Sequence, residues 1–226
     1  MKLSILIPCR NETTELQNLV DNIRVSYHEI ILLMSHDIST ETHEICKRIK
    51  DTKKNAFMHY QHDYPGVGLA YREGFRLATG THIAMLEGDG EANPATLQKM
   101  MLQFDDKSVD VCVASRWQGE FYGYNPTKKI LNYSFNKIFS TLLSTRISDL
   151  TFTYKILKKS VADEIKWSAQ YQDIGAETTM MPIVRGYTVV EVPTTWTARP
   201  GASDTTLSLR KNLLYVAQAI KALSLL

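Results

Sequence analysis

Thr81-His82-Ile83-Ala84-Met85-Leu86-Glu87-Gly88-Asp89-Gly90-Glu91-Ala92-Asn93-Pro94 is the stretch on which the reading of this chain turns. Its first half reads as a buried strand, and Asn93-Pro94 opens a helix. Between them the strand ends in two carboxylates separated by one glycine. In open α/β sheets, ligands bind at the carboxyl edge of the strands. Two carboxylates placed there can reach one hard divalent cation, and Mg2+ or Mn2+ held in this way keeps positions for phosphate oxygens. Gly88 leaves room for a ligand against the backbone. A solvated acidic turn would use the same residues, so the rest of the chain has to decide.

Working outward, strands and helices alternate. Residues 2–8 form an apolar strand ended by Pro8, and Asn11 is placed to cap the helix after it. Glu29-Ile-Ile-Leu-Leu-Met34 is a second buried strand, and 55–60 a third. Helices are expected near 42–49 and through Ala70, Phe75 and Ala78, the latter closed by Gly80. Gly66-Val-Gly68 lacks the third glycine of a dinucleotide fingerprint and reads as a tight turn that lets a helix lie close to a ligand. Beyond the acidic motif, 97–104 is a helix and 109–114 a strand delivering Ser115-Arg116. A loop is expected over 118–129, a helix over 131–143, a strand over 149–157, helices over 161–165 and 177–185, and a strand over 187–193. The closing helix carries Leu209, Leu213, Val216, Ile220 and Leu223 on one face. This spacing implies an α/β fold with a doubly wound, mostly parallel sheet.

Composition sets limits. The 226 residues suffice for one large α/β domain with an appendage. We divide them into a domain over 1–208 and a C-terminal amphipathic helix over 209–226. A formal charge of +2 gives no general case for nucleic acid as a partner. Cys9, Cys46 and Cys112 lack metal spacing and point to buried thiols in a reducing compartment. The six histidines show no zinc spacing. The first strand begins almost at Met1, leaving no room for a signal peptide, and no apolar run reaches membrane-spanning length.

Several motifs then fall in order. Ser4-Ile-Leu-Ile-Pro-Cys-Arg-Asn-Glu12 is similar to the opening strand of family 2 glycosyltransferases. Gly66-Val-Gly-Leu-Ala and Gly74-Phe-Arg-Leu-Ala-Thr-Gly80 resemble the segment before their acidic motif, at which Glu87-Gly-Asp89 stands. Ala114-Ser-Arg116, Asp149-Leu-Thr151, Lys155, Glu177 and Glu191-Val-Pro193 match later landmarks. Arg199-Pro-Gly-Ala-Ser203 resembles the basic loop of the dolichyl-phosphate (polyprenyl-phosphate) mannosyl- and glucosyltransferases. The resemblance spans about residues 3–209 and implies a single GT-A nucleotide-sugar domain. Two departures stand out: the usual Asp-x-Asp begins here with Glu87, and the usual paired aspartates after the second strand are Ser35-His36-Asp37.

The resemblance implies a metal-dependent, inverting attack on C1 of a UDP- or GDP-linked hexose, with Asp89 and Glu87 as ligands of Mg2+ or Mn2+. Pro8, Arg10, Glu12, Gly68 and Gly88 would border the nucleotide. Arg10 is placed for phosphate or as a surface arginine; Asp37 for ribose or base, or as a helix cap. Arg199 and Ser203 would contact phosphate, the guanidinium through paired bonds. Arg116 would approach the acceptor phosphate or pair structurally with Asp149. Glu177, or Asp173, would serve as base if one is needed. A phosphate monoester is already anionic near neutral pH and needs none, its second pKa being about 6. Because the basic loop resembles that of the dolichyl-phosphate subgroup, the favoured acceptor is a lipid phosphate, polyprenyl or dolichyl. It would be met at the cytoplasmic membrane face by a peripheral protein, bound directly through 121–139 and the closing helix or through a membrane-protein partner. The alternatives are transfer to a sugar hydroxyl, and nucleotide-sugar binding without catalysis.

Overall fold

In the computed structural model, which describes residues 1–61, 66–199 and 209–226 (209–211 by backbone alone), seven strands form one sheet in the order β3-β2-β1-β4-β6-β5-β7. The strands are β1 (Leu3–Cys9), β2 (Glu29–Met34), β3 (Ala56–Tyr60), β4 (His82–Met85), β5 (Val111–Tyr122), β6 (Lys155–Lys158) and β7 (Val189–Thr197). Only β6 runs against the others, pairing antiparallel with β4 and β5. The helices are α1 (Thr14–Asp21), α2 (Thr40–Thr52), α3 (Val67–Leu77), α4 (Thr96–Gln103), α5 (Pro126–Leu142), α6 (Lys159–Glu164), α7 (Ile174–Val184) and α8 (Leu209–Leu223).

Side-chain alternation divides the core into two layers. Ile5, Ile7, Ile30, Leu32 and Ala84 face a layer closed by α1, α2 and α4. Leu6, Ile31, Leu33, Ile83 and Met85 face the opposite layer, closed by α3, α6, α7 and α8. Both faces of the central strands are thus covered, which is why β2 is apolar from Ile30 to Met34 and buried at every position. The winding carries the ends of β1, β2 and β4 to one edge of the sheet.

Some local expectations change. Asn11 caps nothing: α1 starts at Thr14 after Thr13. Gly80 does not close α3, which ends at Leu77; a Cβ there would stand 2.6 Å from Ser4 Oγ, so its bareness lets the chain cross β1. Only the end of 149–157 is strand, because Asp149 Oδ1 accepts the Phe152 N–H at 3.2 Å and turns the chain before β6. The expected loop at 118–129 is largely regular structure. After an irregularity between Ser115 and Glu120, β5 continues and pairs Glu120–Tyr122 with Thr195–Thr197. Gly119 permits this, since a Cβ would lie 1.9 Å from Thr194 O. α5 then begins at Pro126, capped by the Asn125 side chain on Lys128 N–H. α8 packs through Ala219 and Ala222, while Leu213 and Ile220 of the expected apolar stripe point outward, 57% and 59% exposed.

Candidate active site

Two joined cavities open at the carboxyl edge of the sheet. The first, of about 570 Å3, is bounded by Pro8, Arg10 and Glu12 after β1, by Ser35 after β2, by Glu87, Gly88, Asp89 and Glu91 after β4, and by Arg199 after β7. The second, of about 390 Å3, lies between α5, α8 and the turn before β6, with Arg116, Asn132, Thr151, Leu131, Phe135 and Tyr215 in its walls. Glu87, Glu91, Tyr124, Lys128, Gln172 and Trp196 belong to both and mark the junction.

Four carboxylates line the first cavity, and each is held above its ordinary pKa. Burial and the Asp89 charge push Glu87 up to about 8, against a hydrogen bond from the Thr153 hydroxyl. Burial raises Asp89, opposed by the Glu91 N–H, which donates to Asp89 Oδ1 at 3.1 Å, and by the charge of Arg199. Burial and Asp89 raise Glu91; burial raises Glu12, with Asp89 adding to it. Such a cluster is short of positive charge. Among the described residues no three His, Cys, Asp or Glu side chains converge to hold a metal by themselves. That donor set fits Mg2+ or Mn2+, which are bound by one or two carboxylates with phosphate oxygens completing the shell.

Pro8, Arg10, Glu12, Glu87, Gly88, Asp89 and Arg199 therefore come together around the first cavity as expected from the motifs, and Arg116 borders the second. Arg10 donates to Asp37, so the two residues meant for phosphate and for ribose or base are paired at the rim. The Ser35 hydroxyl and that guanidinium lower the Asp37 pKa. Arg116 makes the structural pair with Asp149 and also lines the second cavity. Its Nε and Nη2 donate to the two Asp149 oxygens at 2.8 and 3.0 Å, and Phe152 lies under the guanidinium at 4.4 Å. Glu191 braces the turn beneath by accepting the Ser148 N–H at 2.9 Å.

Three placements need correction. Glu177 is not in either cavity. Its carboxylate accepts the Ser168 and Ala169 N–H groups, each at 2.9 Å, and the Lys221 ammonium at 2.8 Å, which ties α7 to α8 and leaves it no role as a base. Asp173 is likewise engaged by Tyr171 N–H and Gln218. The bareness of Gly68 serves a protein neighbour: its N–H donates to Gln170 O at 3.1 Å, and a Cβ would meet Ala169 O at 2.7 Å. Ser203 lies outside the described residues.

Sequence reading missed Glu91, and it read Lys128 as part of the membrane-facing stretch 121–139, whereas Lys128 lines both cavities. The carboxylate repeat 87, 89, 91 signals the first. The second becomes visible only once α5 is known to begin at Pro126, which turns Lys128 inward over the Tyr124 ring at 5.1 Å.

The profile of Glycosyl transferase family 2 matches residues 4–166. Polyprenol monophosphomannose synthase of Mycolicibacterium smegmatis is 26% identical over 206 residues, covering 86% of this chain and 77% of that protein. Among solved structures, glucosyl-3-phosphoglycerate synthase of Mycobacterium tuberculosis in complex with Mn2+, UDP-glucose and phosphoglyceric acid superposes with a TM-score of 0.78 at 12% identity, over 99% of this chain and 80% of that one. The same enzyme with Mg2+ and UDP gives 0.78 at 11% identity, over 99% and 79%. These likenesses establish the GT-A fold.

Proposed function

The chain belongs to glycosyl transferase family 2, and from that premise we propose that it moves a hexose from a UDP- or GDP-sugar to a polyprenyl or dolichyl phosphate, with inversion at C1 and with Mg2+ or Mn2+. One observation carries this reading. The acidic cavity, suited to a metal-bound diphosphate, joins a second cavity that combines cationic Arg116 and Lys128 with the apolar Leu131, Phe135 and Tyr215. Leu131 is half-exposed, so this second cavity opens onto α5, where Ile130, Ile138 and Leu142 are 67%, 55% and 52% exposed. An acceptor with an anionic head and a hydrocarbon tail matches both parts. The name of the M. smegmatis relative supports the same class of acceptor.

In this mechanism Asp89 and Glu87 would hold the cation, with Glu91 beside them, and the ion would supply Lewis-acid charge at the departing diphosphate. Arg199 pairs with a diphosphate oxygen, and Lys128 neutralises the head of the acceptor where the cavities meet. An acceptor phosphate oxygen forms the new bond to C1. The C1–oxygen bond to the nucleoside diphosphate breaks, and that oxygen leaves with the electron pair. No proton has to be removed from the acceptor, which agrees with Glu177 standing elsewhere. The test is a panel of nucleotide sugars incubated with polyprenyl phosphate and either metal, read by product mass. Transfer only to hydroxyl acceptors would replace this reading with transfer to a sugar hydroxyl, which needs a base to take the hydroxyl proton.

Arg199→Ala is expected to lower kcat/KM by about 2–3 kcal/mol, the loss of a charged hydrogen bond to phosphate. Arg199→Lys should recover part of it, because an ammonium cannot make the paired contact. Steady-state kinetics on both variants checks this; native rates in Arg199→Ala would remove the phosphate role.

Among the described residues no helix is long and apolar enough to cross a membrane. The exposed stripe of α5, flanked by Lys129 and Lys137, suits the headgroup region instead. Flotation with anionic liposomes at low salt should carry the native protein, either alone or with a membrane-protein partner. Lys129→Glu should reduce binding about fivefold or more, in line with about 1 kcal/mol per basic residue at an anionic surface. Ile138→Asp should reduce it further. Native protein that stays wholly in solution at low salt would set the direct contact aside.

A further inference from the structure

We propose that Tyr71 is a positioning residue for the acidic motif: its phenol fixes the Leu86–Glu87 peptide, and so the direction in which Glu87 and Asp89 leave the end of β4. The ladder runs out at this point. Leu86 N–H still donates to Leu6 O of β1 at 3.0 Å. The next rung of the same parallel ladder would need an N–H at residue 8, and that residue is Pro8, so the Leu86 carbonyl has no donor from β1. That carbonyl belongs to a fully buried residue, and it accepts the Tyr71 O–H at 2.8 Å. A buried carbonyl without a donor is costly, and without the phenol the peptide would turn to find one. The side chain most displaced by such a turn is that of Glu87, the next residue. Burial first, then the charges of Glu87 and Asp89, raise the Tyr71 pKa well above its ordinary value and keep the group a donor.

Tyr71 can set this position because α3 is itself held tightly. Gly74 brings the helix directly onto the sheet, where a Cβ would meet Leu6 Cδ1 at 2.7 Å and Leu33 Cδ1 at 2.9 Å. The Gly68 and Leu69 N–H groups at its start both donate to Gln170 O, at 3.1 and 3.3 Å. Tyr171 and Gln172, which follow, form the far wall of the first cavity. One helix therefore spaces the acidic motif from the wall opposite.

The inference rests on the reading of Glu87 and Asp89 as the metal-diphosphate site, and the experiment separates the two. Tyr71→Phe keeps the ring and its packing and removes only the donor. Three quantities are compared with native protein: Mn2+ affinity in the presence of UDP, by the paramagnetic resonance of free Mn2+; kcat against acceptor KM at saturating metal; and amide hydrogen exchange over 87–91 with no ligand. Mn2+ affinity and kcat should each fall about tenfold, the effect of one lost buried hydrogen bond, with acceptor KM within about twofold of native. Exchange over 87–91 should quicken while that of α3 stays native. A variant that melts lower yet keeps native Mn2+ affinity, kcat and exchange at 87–91 would overturn the inference. The exchange measurement needs no ligand, so it still decides the role of Tyr71 if native protein binds no Mn2+ with UDP, a result that would overturn the site reading instead.

Discussion

Asp89→Ala is expected to lower transfer by about a thousandfold or more, and to abolish metal-dependent UDP binding, in a protein that remains folded. The size follows from the task. A cation at the departing diphosphate is worth several kcal/mol of transition-state stabilisation, and each 1.36 kcal/mol is tenfold in rate, so about 4 kcal/mol gives about 10³. The retained fold follows from the electrostatics. Asp89 is held above its ordinary pKa chiefly by burial, and its charge in turn raises Glu12, Glu87 and Glu91. Removing it relieves three neighbours and forfeits the attraction of Arg199 and the hydrogen bond from the Glu91 N–H, the latter worth about 1 kcal/mol. Melting temperature without metal should hold or rise while activity disappears. Asp89→Asn separates charge from shape: it keeps an acceptor for Glu91 N–H and should still fail to bind Mn2+. Native activity in Asp89→Ala, or in excess chelator, would end the metal assignment.

Much of this site was legible because its signals are local. The short apolar run 30–34, rich in Ile and Leu, reads as a strand covered on both faces, and Glu87-Gly-Asp89 directly after an apolar strand stands at the edge of the sheet. What escaped depends on distant partners. The polar, aromatic segment 118–122 becomes strand only because Thr195–Thr197 lie beside it. Glu177 becomes a structural anchor through Lys221, 44 residues away. Lys128 changes from a surface charge to part of the junction because α5 starts at Pro126 rather than near Leu131, and a shift of a few residues turns a helix face through more than a right angle. Arg116 posed a different difficulty. An arginine after a buried strand reads equally as a ligand and as an ion pair, and the fold makes it both a partner of Asp149 and a wall of the second cavity.

That double role makes Asp149→Ala the second large effect, and it should appear in stability. Asp149 is fully buried and Arg116 nearly so, with a bidentate bond between them. Alanine leaves the guanidinium buried without its counter-charge, which typically costs about 3–5 kcal/mol. The Arg116 and Phe152 N–H groups lose their acceptor as well. Urea unfolding should show a midpoint lowered accordingly, whereas Asp89→Ala unfolds close to native. pH tells the two carboxylate environments apart. Despite burial, the charge and hydrogen bonds of Arg116 lower the Asp149 pKa below its ordinary 3.8, so its contribution is present above about that pH and is lost as pH falls through the folded value. Glu87 has the opposite sign. Its pKa is raised from 4.5 to about 8, so without metal its contribution is full below 4.5 and is lost as pH rises to about 8. Metal-free native protein should therefore lose stability on both sides of a mildly acidic optimum. Asp149→Ala should flatten the acid limb and leave the alkaline limb, and Glu87→Gln should do the reverse. Mn2+ with UDP should restore the alkaline limb of native protein alone, because a cation beside Glu87 removes the reason for its raised pKa. An acid limb unchanged in Asp149→Ala would show that the Arg116 pair is not what acid breaks.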